Sequence, residues 1–72
     1  MNHDEILARL KKGEAFSGRN GCFTGTMKVT AVKGDGSLVV DCEKDGYHHE
    51  EVWDDDIRYT LWAFEDGDYY FL

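Results

Sequence analysis

Residues 37–53 read SLVVDCEKDGYHHEEVW. Two runs rich in β-branched and aromatic residues flank Asp45-Gly46, a dipeptide that favours a tight hairpin because glycine takes positive φ at no steric cost. A two-residue loop there opposes Leu38 to Trp53 and Cys42 to His49, and sets Asp41 beside Glu50 on the other side of the ribbon. The same signal recurs at Asn20-Gly21, Asp35-Gly36 and Asp66-Gly67. Between these turns the composition predicts strands at about 15–17, 23–33, 37–43, 47–53, 57–64 and 68–72. The chain contains no proline to interrupt them.

Upstream, Asn2 caps a predicted helix at about 4–12, with Asp4 and Glu5 in its positive first turn and Lys11 and Lys12 in its negative last one. Gly13 ends it. Ile6, Leu7 and Leu10 share one face, so this helix is expected to lay an apolar stripe on the sheet. Seventy-two residues, 42% of them hydrophobic, suffice for one folded core and leave little room for an enclosed cavity. The expected fold is α+β: a short N-terminal helix packed on a curled antiparallel β-meander of five to six strands, a small SH3-like or partly open barrel. A single domain spans 1–72.

A two-residue loop at Asp35-Gly36 pairs Ala31 with Val40 and Val29 with Cys42. The face under the helix then collects Met27, Val29, Ala31, Leu38, Val40, Cys42, Tyr47, His49 and Trp53. The opposite face carries the rows Thr30, Asp41, Glu50 and Lys28, Glu43, His48, with Val32, Val39 and Val52 beyond. A final hairpin at Asp66-Gly67 sets Trp62 and Phe64 beside Phe71 and Tyr69, an aromatic surface available to a partner.

Charge is segregated. Residues 1–34 hold six basic side chains against three acidic ones, whereas residues 35–72 hold twelve carboxylates against Lys44 and Arg58, within a net charge of −7. An anionic half of this kind repels nucleic acid and attracts basic partners. The candidate partner-binding residues are Asp41, Glu43, Glu50 and Glu51 on the strands, Asp54, Asp55 and Asp56 in the run after them, and Glu65, Asp66 and Asp68 near the C-terminus. No basic segment leading into an apolar run opens the chain and no long apolar stretch occurs, so a cytoplasmic location without membrane contact is expected. Cys22 and Cys42 then read as free, partly buried thiols.

Catalytic and metal motifs are weak, and neither an enzyme nor a cofactor is expected. Asp41, Glu43, His48, His49 and Glu50 mix carboxylates with imidazoles, but adjacent His48 and His49 point to opposite faces of a strand. Cys42 opposite His49 fits a nucleophilic pair, yet acidic neighbours raise a thiol pKa rather than lower it. The aspartates lack the alternation and the glycine of a calcium loop.

In character the chain resembles the small acidic nucleic-acid mimics that viruses and mobile elements use against host defence enzymes. That resemblance implies a basic, nucleic-acid-handling protein partner. The opening Glu5-Ile6-Leu7 to Leu10-Lys11-Lys12-Gly13, with Arg19 and Gly21, is similar to the start of phage proteins that sequester signalling nucleotides. It covers about a quarter of the chain, and Cys22 stands where those proteins carry a tryptophan. This second resemblance implies phosphate contacts from Arg19, Lys28 and Lys33. A third reading is a barrel subunit that self-associates into a homodimer through the aromatic hairpin.

Overall fold

In the computed structural model, which describes residues 2–20, 23–54 and 57–72, helix α1 (His3–Lys11) starts at its expected cap. Asn2 Oδ1 accepts the Glu5 backbone N–H at 2.8 Å, and Asn2 Nδ2 donates to Glu5 Oε1 at 3.3 Å. This reciprocal cap satisfies an N–H that has no partner within the helix. At the other end Gly13 turns the chain away at φ +79°. Ile6 and Leu10 are fully buried and Leu7 is partly so.

Strands β1 (Phe16–Asn20), β2 (Phe23–Val32), β3 (Leu38–Lys44) and β4 (Tyr47–Trp53) form an antiparallel meander. A second helix, α2 (Ile57–Asp66), then carries the chain to β5 (Tyr69–Phe71), which pairs antiparallel with β1. The sheet order is therefore β4-β3-β2-β1-β5. Gly18 makes the last pairing feasible: its φ is +148°, and a Cβ there would stand 2.1 Å from the Asp68 carbonyl oxygen.

The turn at Asp45-Gly46 has positive φ at both residues, 54° and 85°, as a two-residue hairpin requires. Leu38 faces Trp53, Asp41 faces Glu50 and Cys42 faces His49, as expected. The Asp35-Gly36 connection departs from the two-residue loop. Val32 and Leu38 form the last pair, and Asp35 Oδ1 accepts the Ser37 N–H at 2.9 Å within a wider loop over residues 33–37. A bulge between Val29 and Ala31 adds a second irregularity, where the Thr30 hydroxyl donates to the Val39 carbonyl at 3.3 Å.

Each irregularity slips the pairing by one residue, and the two slips restore the alternation. Met27 and Val29 thus keep the covered face but meet Cys42 and Val40. Ala31, caught between the slips, faces Val39 and is exposed. Tyr47 and His49, also expected under the helix, lie on the edge strand β4 beyond its reach and are exposed.

The largest correction concerns residues 57–64, which are helical rather than a strand. Ile57, Leu61 and Phe64 repeat at helical spacing toward the core, while Tyr59 and Trp62 point outward. Gly67, with φ +87°, ends this helix instead of turning a hairpin, and its N–H donates to the Phe64 carbonyl at 3.3 Å. The final hairpin and its aromatic surface therefore do not form. Phe64, Tyr69 and Phe71 instead surround the fully buried Phe16, with ring centroids 5.3–6.3 Å from it. Trp62 stands apart against Tyr59.

The sheet curls strongly without closing. Trp53 on β4 stacks on Tyr69 of β5 at 6.0 Å, yet these two strands remain the separate edges of an open five-stranded sheet. Ile6, Leu10 and Leu61 of the helices fill the concave side with Phe16, Met27, Val29, Leu38, Val40 and Cys42. Neither helix covers the convex side. The expected Asn20-Gly21 turn falls at Gly21, outside the described residues.

Candidate functional site

Alternation along β3 and β4 decides where the acidic residues go, because side chains two apart share a face. With Leu38, Val40 and Cys42 buried, Asp41 and Glu43 must face the convex side, and pairing brings Glu50 and His48 beside them. Three of the ten candidate carboxylates therefore gather there: Asp41, Glu43 and Glu50. The bulge changes their company, setting Lys28 opposite Asp41 and Thr26 opposite Glu43. Asp41 Oδ2 lies 3.0 Å from His48 Nδ1, and Glu43 Oε1 accepts the Gly46 N–H at 2.9 Å. Glu50 is exposed on the edge strand and has no ionic partner among the described residues.

The remaining candidates lie elsewhere. Glu65, in the last turn of α2, pairs with His3 at 2.7 Å, and Asp66 and Asp68 flank Gly67 beside it. Asp54 follows β4 and is exposed, while Asp55 and Asp56 lie outside the described residues, as does Cys22. Glu51 turns to the concave side with His49, away from Asp41, Glu43 and Glu50.

On that concave rim the structure assembles a cluster that sequence reasoning only half reached. Cys42 is fully buried, His49 lies opposite it on β4, and Glu51 is two residues further along the same face. One ligand-type atom from each, a sulfur, a nitrogen and an oxygen, lies within 4.8 Å of the other two. Glu51 Oε2 sits 2.8 Å from His49 Nε2, and Glu51 Oε1 accepts the Trp53 indole N–H at 3.0 Å. The Cys42–His49 pairing was legible from the hairpin. Glu51 was missed as the third member, although a His-x-Glu spacing on one strand places both side chains on one face.

Electrostatics fit this burial. Desolvation first, then the Glu51 and Asp41 carboxylates, push the Cys42 thiol up to about 11. Tyr69 is raised by burial and then by Glu51, Cys42 and Asp68. A thiol so protonated is a poor nucleophile at neutral pH. The mixed carboxylate and imidazole residues Asp41, Glu43, His48, His49 and Glu50, from which no metal site was expected, are divided between the two faces, with His48 on Asp41 and His49 on Glu51.

Of the cations proposed to hold a phosphate, the Arg19 side chain lies outside the described residues, and Lys28 and Lys33 do not converge. Lys28 and Lys33 are both exposed and five residues apart on and just beyond β2, roughly 17 Å at strand rise. A concavity of about 360 Å³ between α1 and β5 is lined by Ile6, Phe64, Tyr70, Phe71 and Arg9. Arg9 is already engaged there, ion-paired to Glu14 at 2.8 Å and stacked 3.9 Å over Phe71. That pairing lowers the Glu14 carboxyl below its ordinary value.

No helix among the described residues is long and apolar enough to cross a membrane. Comparison with protein-family models, curated proteins and solved structures found no significant match.

Proposed function

We propose that this chain is a small non-enzymatic binding module that docks a basic, nucleic-acid-handling protein against the uncovered face of its sheet. The observation that carries the reading is the direct opposition of Asp41 and Glu50 across β3 and β4, with Glu43 beside them, on a face that neither helix covers. Like charges so placed destabilise a sheet by a few tenths of a kcal/mol or more, and a bound cation relieves that cost. Along β3 the carboxylates of Asp41 and Glu43 repeat at about 6.8 Å, twice the rise between charges on one nucleic-acid strand. A basic partner thus meets two carboxylates along β3 and a third, Glu50, across the ladder. The protein acts in the cytoplasm, where the buried thiol of Cys42 stays reduced.

The test has two arms. Affinity capture with the tagged chain, followed by reconstitution from purified components, is expected to yield a basic partner for which nucleic acid competes. Replacing Asp41, Glu43 and Glu50 with Asn, Gln and Gln should weaken that complex at least tenfold, while neutralising Glu65, Asp66 and Asp68 leaves it within about twofold. Equal losses from both sets, or a partner that nucleic acid does not displace, defeat the reading. A self-association reading rests on the exposed Tyr59–Trp62 pair and the open edge of β4. A sedimentation experiment that finds only monomer at high concentration removes it.

A further inference from the structure

We infer that Cys42, His49 and Glu51 form a binding site for one borderline divalent transition-metal ion of the zinc class. The three donors come from one cross-strand pair and its neighbour on the same face, so the hairpin itself brings them together. Thiolate, imidazole and carboxylate are the donor set that such an ion takes, and hard cations such as magnesium avoid it. Bond lengths near 2.0 Å to nitrogen and oxygen and 2.3 Å to sulfur ask for donor separations of about 3.3–3.6 Å in a tetrahedral site. The 2.8 Å contact between His49 and Glu51 must open slightly, and the widest gap, at most 4.8 Å, must close. Both movements fall on an edge strand whose neighbour on one side is solvent.

A second observation sets this cluster apart from a chance meeting of polar side chains. The Trp53 indole N–H holds Glu51 Oε1, while Glu51 Oε2 lies 2.8 Å from His49 Nε2. Outer donors of this kind orient metal-ligating carboxylates. The site has a floor and a mouth: Cys42 is 0% exposed, whereas the side chains of His49 and Glu51 are 51% and 33% exposed. An ion entering from solvent displaces the thiol proton of Cys42, forms one bond to each residue and keeps a fourth position for water or for a donor from another molecule. This site lies across the sheet from Asp41, Glu43 and Glu50, so it stands or falls independently of the proposed docking face.

The full chain carrying Cys22→Ser, with any tag removed, is titrated with Co²⁺ and then with Zn²⁺ against a chelating indicator. The expected result is one Co²⁺ per chain, with a thiolate-to-cobalt charge-transfer band and visible bands of tetrahedral intensity, displaced by Zn²⁺. Cys42→Ser should abolish the charge-transfer band. His49→Ala and Glu51→Gln, at the partly exposed rim, should weaken binding at least tenfold with an unchanged far-ultraviolet spectrum, and Trp53→Phe should weaken it less. His48→Ala, on the opposite face, should have no effect. Absence of the thiolate band, or equal affinity in His48→Ala and His49→Ala, overturns the assignment.

Discussion

At the scale of single residues, the clearest constraint is Gly18. A methyl group there would run into the Asp68 carbonyl and the Tyr69 backbone, so Gly18→Ala should separate β5 from β1 and cost about 2–4 kcal/mol, read as a lowered urea midpoint. Glu50 offers the opposite sign. Relieving its opposition to Asp41, Glu50→Gln should raise stability by about 0.2–1 kcal/mol, more at low salt than at high. A loss instead would mean that Glu50 has an attractive partner. Alkaline pH tests the concave rim. Cys42 and Tyr69 hold their protons more tightly in the folded chain than their ordinary values of 9.0 and 10.0. The unfolded chain therefore deprotonates first, and stability, full below about pH 9, should fall as pH rises toward about 11. A urea midpoint that stays flat across that window, or a slope untouched by Cys42→Ala, would contradict this.

At the scale of elements, α2 separates a helical from a strand reading of the same sequence. Strand alternation puts Trp62 and Phe64 on one side, whereas a helix turns them about 200° apart. Leu61→Ala and Phe64→Ala should each cost about 2–5 kcal/mol, and Tyr59→Ala and Trp62→Ala under about 1 kcal/mol. Thermal or urea unfolding of the four variants gives the comparison directly. Similar losses at Trp62 and Phe64 would restore the strand. The sequence does contain the missed signals: a run of aspartates at 54–56 before the apolar repeat and Gly67 after it are helix start and stop residues. They were outweighed because Ile57, Tyr59, Leu61 and Phe64 also suit a strand, and β-propensity is high for most of them.

For the whole molecule, the decisive feature is that both helices occupy one side of a curled sheet. That arrangement buries Phe16 at the centre, frees the convex face, and folds the β4 edge over toward β5 until Trp53 meets Tyr69. A chain of this size has a total stability of about 4–11 kcal/mol. Phe16→Ala, costing about 3–5 kcal/mol, should remove a quarter or more of it, read as a lowered urea midpoint. The charge segregation along the chain survives only in part. Asp41, Glu43 and Glu50 share a surface, but Glu51 is drawn to the other side and Glu65 to His3.

Local chemistry alone determined the capped first helix, the hairpin at Asp45-Gly46 and the alternation of buried and half-buried residues along β3. Each depends on neighbours a few positions apart, such as Asn2 with Glu5 or Leu38 with Val40 and Cys42. Tertiary packing decided what depends on distant partners. The core claimed Ile57, Leu61 and Phe64 for a helix, because burial against Phe16 rewards one face of that segment more than strand pairing would. It was the hairpin geometry that joined Glu51 to Cys42 and His49, since a face is shared only once the register is set.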